Sequence, residues 1–290
     1  MKQIFSKITI KLMLTVATIT LIIGCSDVLD EDPLVQLSTE QFYQNETDAL
    51  AALSGAYARL KEGVGYYRQQ FLSNLHAASD QGTSSWKHGN FRRGTIVPSD
   101  QNLRNPWIEM YIGIKDANNI IARVPAIEMD EELKNRILGE AKFLRGLHYF
   151  NLVRCFGEVP LRTEPTQSGD EGLPVSAIED IYEVIINDFS YAAEHCWGFN
   201  ETRGGQTNNI GRATNAAAHA MLAKVYIQMA SSKRTASEGI TGNNRYLGIA
   251  ESSANLYQLA KDHCDVVINQ GGYFLVSDLD QWVGIFDPAN

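Results

Sequence analysis

Between Asp130 and Phe156 the chain sets Leu133, Ile137, Ala141, Leu144, Leu147 and Phe150 three or four residues apart, and Gly157 follows at once. That spacing lines one face of an α-helix, and glycine just past the end is its usual stop. The same period recurs along the chain. Asn45 and Asp48 can cap a helix that carries Leu50, Leu53, Tyr57 and Leu60 on one face. A second helix is expected near 67–78, with Phe71, Leu72 and Leu75 inward. A third, from about Asn105, gathers Met110, Tyr111, Ile114, Ala117, Ile121 and Val124, and Pro125 ends it. The Asp130–Phe156 run is the fourth.

Ser176-Ala177-Ile178-Glu179 reads as a capping box opening a fifth helix over Ile178, Ile181, Tyr182, Ile185 and Phe189. A sixth follows Thr214, with Ala217, Ala218, Met221, Leu222, Val225 and Met229. A seventh is expected near 248–268, and only 272–276 reads as a strand. Long Gly/Ser/Asn/Thr-rich stretches at 79–104, 165–175, 197–213 and 231–247 lie between the helices. Loops of that length in a compact domain are usually either functional or a sign of wrong element assignment. The expected fold is therefore mostly α: a tetratricopeptide-like helical-repeat scaffold with long inserted loops and very little strand, although no strict repeat period is visible.

The first 24 residues are a different material. Lys2, Lys7 and Lys11 stand without any acid, and an uncharged apolar run extends from Leu12 to Ile23. A membrane-spanning helix needs about 20 such residues, so this run suits the core of a signal peptide. It ends in Leu21-Ile22-Ile23-Gly24-Cys25, which resembles a bacterial lipobox, making Cys25 the expected acylated N-terminus. Loss of the leader takes three lysines and no acid, so the formal charge moves from −9 to −12. Asp27, Asp30, Glu31 and Asp32 before Pro33 then read as a solvated tether. The expected organisation is a lipoprotein signal peptide at 1–24, an acidic tether at 25–37 and a helical domain at 38–290.

Composition excludes other classes. With 44% apolar and 20% charged residues, the chain can bury a core and is not wholly disordered. Four cysteines in 290 residues cannot staple a miniprotein, and Cys155 and Cys264 are expected as buried thiols on helical faces. The acidic balance argues against a nucleic-acid partner. No His-Glu-x-x-His, Cys-x-x-Cys, Gly-x-Ser-x-Gly or phosphate-cradling glycine motif is present. Neither a catalytic residue, a metal nor a cofactor is expected.

Four segments together resemble the SusD/RagB family of outer-membrane nutrient-binding lipoproteins. They are Trp107 to Ile121, Gly139 to Leu161 (Glu140-Ala141-x-Phe143-Leu144-Arg145 through Phe156-Gly157-x-Val159-Pro160), Gly211-Arg212-Ala213-Thr214 running on to Tyr226, and Ala260 to Val267 followed by Gly272-Tyr273-x-Leu275. Glu140 and Arg145 are expected to pair with other charges or to cap backbone, and Asn118 and Asn119 to bond loop backbone. Members of that family are usually much longer, so the chain is expected to be the N-terminal helical part of a longer protein. The resemblance implies a non-catalytic, lipid-anchored, surface-exposed outer-membrane protein. It would capture oligosaccharides and pass them to a SusC-like TonB-dependent outer-membrane transporter. A peptide-binding RagB-like protein, a surface glycoside hydrolase and a purely architectural scaffold remain as alternatives.

A sugar presents an apolar C–H face rimmed by hydroxyls, so its site wants exposed aromatic rings beside amide, imidazole and guanidinium groups. Trp86, His88, Asn90, Phe91 and Arg92 supply that chemistry within one polar stretch. In glycan-binding members an aromatic residue comes from the corresponding loop, which puts Trp86 first. Trp197, Phe199 and Trp282 are further aromatic candidates, each expected rather as a core or loop anchor.

Overall fold

Short polar side chains that close first turns set where most of the helices begin. In a computed structural model, the structure describes residues 42–278 apart from 62, 64, 80, 81, 83–88, 168–171, 204, 208–210, 241–243, 274 and 277. The chain divides into two units, 1–42 and 43–290. Only Phe42 of the first is among the described residues, so the lipobox and tether lie outside them.

In the second unit, the Asn45 side chain accepts from the Asp48 N–H and starts α1 (Glu46–Ala58). Helices α2 (Gln70–Ala78) and α3 (Gly89–Arg93) follow. Asp100 caps α4 (Gln101–Arg123), and Asp130 caps α5 (Glu131–Phe156), whose exit is Gly157 at φ 76°. Next come α6 (Ile178–His195) and two-residue strands β1 (Thr202–Arg203) and β2 (Gln206–Thr207), which pair antiparallel. Thr214 caps α7 (Asn215–Ser237), and Ser252 caps α8 (Ser253–Gln270). Each cap satisfies one of the N–H groups that a helix start leaves unpaired.

From α4 onward each long helix packs on the one before it: α5 on α4, α6 on α5, α7 on α6 and α8 on α7. Helix α1 packs on α4 and α5 at one end of this series, and α2 lies on α4. The expected mostly α, repeat-like scaffold is what the chain forms. Two large apolar clusters among the described residues hold it. One joins Met110 and Ile114 to Phe150, Val153, Ile181, Ile185, Phe189, Leu222, Val225 and Met229. The other joins Leu53, Ile120, Val124, Ile137 and Leu144 to Trp197.

Several elements differ from expectation. Helix α2 begins at Gln70 and turns Phe71, Asn74 and Ala77 inward, leaving Leu72 49% and Leu75 47% exposed. The cause lies in α4. Pro106 has no N–H to give the Asn102 carbonyl, and the Asn74 amide donates to that carbonyl instead at 2.7 Å. The stretch 79–104 is not all loop, because it contains α3 and the first turn of α4.

Helix α6 starts after Ala177, with no side-chain cap, because the Ser176 N–H is drawn to the Val159 carbonyl beside the Pro160–Val175 bridge. Helix α7 runs on to Ser237, well into the expected 231–247 loop, and α8 starts only at Ser253. The described residues of 272–276 form no strand, since a strand needs a ladder partner and none among the described residues pairs there. Cys155 is exposed and Cys264 half-buried; Cys196 is the buried thiol among them, and burial pushes its pKa up.

Helix α5 is the centre of the molecule, with 16 of its 26 residues buried, including Arg136, Glu140, Arg145, His148 and Asn151. Buried charges persist only when paired and hydrogen-bonded. Glu140 takes the Arg136 guanidinium at 2.7 Å, the Tyr57 hydroxyl of α1 at 2.7 Å and Arg212 at 3.1 Å. Arg145 grips Asp188 of α6 with Nε and Nη2, at 2.7 and 2.8 Å, while its Nη1 bonds Asn118 of α4 and the Thr163 carbonyl. Asn118 in turn donates to the carbonyls of Arg162 and Glu164. The most recognisable sequence motifs meet one another here, and the expected pairing roles of Glu140, Arg145 and Asn118 hold.

Candidate functional site

The segment named from sequence is only partly described. Trp86 and His88 lie outside the described residues, as do Cys25 and Trp282. Asn90, Phe91 and Arg92 follow one another on α3, which packs on α2. The Asn90 amide serves its own surroundings: Nδ2 donates to Asp100 at 3.3 Å, and Oδ1 accepts from Arg93 at 2.9 Å. Asn90 therefore ties α3 to the start of α4. Phe91 is half-buried and Arg92 exposed. Helical placement of these three, rather than extended loop, follows from the Gly94 and Thr95 N–H groups closing on the carbonyls of Phe91 and Asn90.

A groove on α4 groups further aromatics. Trp107 meets Phe156 edge-on, with centroids 4.9 Å apart, and Tyr111 at 5.0 Å. The Tyr111 hydroxyl donates to the Pro160 carbonyl at 2.7 Å. Trp107, Tyr111, Pro160 and Arg162 line a cavity of about 260 Å³. Burial raises the Tyr111 pKa, so its hydroxyl stays protonated and able to donate.

A larger cleft, of about 580 Å³, opens between the 198–199 turn, the start of α7 and the end of α8. Phe199 and Tyr273 are its aromatic residues, 54% and 48% exposed, with Asn215, His219 and Gln270 beside them. Trp197 is the anchor expected of it, buried in the core under the Arg136 guanidinium at 4.5 Å. Phe199 is not: its neighbour already fills the core, and the turn points the next aromatic outward. The sequence signal for this cleft was the pair of flanking motifs at 211–214 and 272–275, without any indication that they meet.

His219 Nδ1 lies 2.9 Å from His263 Nδ1, so one ring donates and the other accepts. Burial lowers the pKa of both, and the neighbouring His219 lowers His263 further against the opposing charge of Asp262. Among the described residues no three His, Cys, Asp or Glu side chains come together to hold a metal. Nor is any described helix long and apolar enough to cross a membrane.

Comparison with known proteins places this architecture. A family model for SusD-like proteins, described as starch-binding and associating with the outer membrane, matches residues 27–227. SusD-like protein P2 of Formosa agariphila is 31% identical over 240 residues, covering 79% of this chain and 45% of the relative. A SusD-like protein of Bacteroides ovatus is 28% identical over 222 residues, covering 75% of this chain and 39% of the relative. The chain thus spans less than half the length of these curated relatives. Among solved structures, a laminarin-binding SusD-like protein superposes with a TM-score of 0.65 at 28% identity, over 86% of this chain and 50% of that one. A SusD homologue from Bacteroides thetaiotaomicron gives 0.66 at 25% identity, over 84% and 44%. With the matched model covering well over half of its residues, this chain belongs to the SusD-like family.

Proposed function

We propose that the protein is a non-catalytic lipoprotein of the outer-membrane surface that binds oligosaccharides and delivers them to a SusC-like TonB-dependent transporter. The observation that carries this reading is the likeness to a laminarin-binding protein across 86% of the chain. The buried polar residues support it too. Glu140 is spent on Arg136, Tyr57 and Arg212, and Arg145 on Asp188, Asn118 and the Thr163 carbonyl, so the conspicuous charges of α5 brace the scaffold. In this reading residues 1–24 are removed, Cys25 is acylated, 25–37 tether the domain and 38–290 form it. Trp86 and Phe91 supply stacking surface, while His88, Asn90 and Arg92 supply hydrogen bonds along the same segment. Tethering raises the local ligand concentration at the transporter without any bond being made or broken.

Calorimetric titration of the full chain with laminarihexaose and with maltoheptaose tests the binding. Trp86→Ala should weaken binding about tenfold, the scale of one lost aromatic stacking contact. Unchanged affinity in Trp86→Ala removes this segment from the site. Turnover of the glycan, or binding of peptides instead, replaces the function itself. Cys25→Ser should move the protein from the membrane to the soluble fraction, because a lipid chain contributes about 0.8 kcal/mol per buried CH₂. Retention of that variant in the membrane fraction rules out the anchor.

A further inference from the structure

The turn that carries Phe199 is held from both ends. Trp197 is locked in the core, and the Gly198 N–H donates to the Glu201 carboxylate at 2.6 Å. Arg203 pairs with the same carboxylate at 2.6 Å; burial pushes the Glu201 pKa up, but the Gly198 and Arg203 hydrogen bonds and the Arg203 charge together bring it below its ordinary value. Between them Asn200 sits at φ 56°, a left-handed conformation that asparagine adopts more readily than other non-glycine residues. Its consequence here is a phenyl ring fixed at the surface.

Across the cleft, Tyr273 is held as well. Gly272, at φ 69°, turns the chain out of α8, and the Tyr273 ring packs over Gly271, where a side chain would collide with it. Its hydroxyl reaches the Thr214 hydroxyl at 3.4 Å. The groups between the two rings are neutral hydrogen-bonding ones. Asn215 uses its Oδ1 on the Ala216 N–H, which leaves its Nδ2 for a ligand. His219 engages His263 through Nδ1, which leaves Nε2. Gln270 adds a second amide. No Asp, Glu, Lys or Arg is among the described residues that line the cleft. That chemistry disfavours phosphates, carboxylates and charged peptides, and it suits a neutral polyhydroxylated ring with apolar faces. The volume, about 580 Å³, is in the range of small-molecule sites.

We propose that this cleft is a second sugar-binding site, separate from the 86–92 segment, taking a neutral pyranose unit beside the Phe199 and Tyr273 rings with Asn215, His219 and Gln270 bonding its hydroxyls. The proposal rests on the reading of the protein as an oligosaccharide binder and adds a site to it. The test is calorimetric titration of the full chain, its Phe199→Ala and Gln270→Ala variants and Trp86→Ala with laminarihexaose and maltoheptaose, with circular dichroism confirming that each variant is folded.

Two binding events are expected for at least one sugar in the unsubstituted chain. Phe199→Ala should weaken one of them about tenfold and leave the other intact. Gln270→Ala should weaken the same event, and Trp86→Ala the other. Wild-type stoichiometry and affinity in both Phe199→Ala and Gln270→Ala overturn this inference while leaving the proposed function standing. Failure of the unsubstituted chain to bind either sugar overturns both.

Discussion

Arg145→Met is expected to destabilise the fold by about 3–5 kcal/mol, the usual result of leaving one partner of a buried ion pair unmatched. Asp188 is 1% exposed and receives both Nε and Nη2 of Arg145; its other cation, Lys142, stands 3.9 Å away. Burial works against the guanidinium charge, yet the hydrogen bond and charge of Asp188 hold the Arg145 pKa above its ordinary value. Removing the guanidinium strands the carboxylate and also releases the Asn118 side chain and the Thr163 carbonyl. The 161–166 segment would keep its hydrogen bonds to Asn118 and Tyr149 but lose its tie to the Arg145 guanidinium. Urea denaturation followed by circular dichroism measures the loss, and limited proteolysis should find new cleavage within 161–166. The double variant Arg145→Met/Asp188→Leu should recover part of the stability, because it leaves no uncompensated charge. A single-variant loss under about 1 kcal/mol would show that solvent reaches Asp188 and that the pair is no keystone.

Stability should also fall as the pH drops below 6.5, through His148. Burial lowers this imidazole to a pKa of about 3. Its Nδ1 faces the Tyr66 hydroxyl at 3.1 Å, and that hydroxyl also accepts from Asn151. Its Nε2 lies against Gly113, where even a methyl group would overlap it, and has no hydrogen-bond partner among the described residues. The unfolded chain therefore takes up a proton near pH 6.5, and the folded chain only near pH 3. Stability is full above pH 6.5 and is lost progressively down to about 3, at up to about 1.4 kcal/mol per pH unit. His219 and His263, also lowered, act in the same direction. Melting temperatures measured between pH 7.5 and 5, above the range where most carboxylates titrate, should show this slope. His148→Gln should flatten it while lowering stability at pH 7.5. An unchanged slope in that variant would mean that His148 is protonated in the fold.

Much of the architecture is local in origin, which is why it can be read without coordinates. Asn45 caps the helix it was expected to cap, Asp130 and Thr214 cap helices expected to begin beside them, and Gly157 stops α5, because each bond closes within four residues. Apolar spacing found the buried faces of α4, α5 and α6 for the same reason. Where a polar side chain turns inward, the reading failed. Asn74 displaces Leu72 and Leu75 from the inner face of α2 to serve a carbonyl on α4 left open by a proline. That exchange links positions 28 residues apart, beyond any helical period.

The candidate sites divide along the same line. A cluster contiguous in sequence, such as Trp86 to Arg92, is visible as a string of sugar-compatible side chains. The Phe199 cleft is not, because its residues come from three separated segments and acquire a common wall only when α7 packs on α8. Phe199 faces solvent because Trp197, two residues earlier, takes the place in the core and Asn200 turns the chain away.

By itself the sequence determined most of the long helices, the Asn45 cap, the Gly157 stop and the family, since all of these rest on short-range spacing and local motifs. The tertiary structure alone decided which face α2 buries, how Glu140 and Arg145 are neutralised, and that Phe199 and Tyr273 share a cleft. Those outcomes depend on partners distant in sequence, and their energies are settled only once burial has removed water from between them.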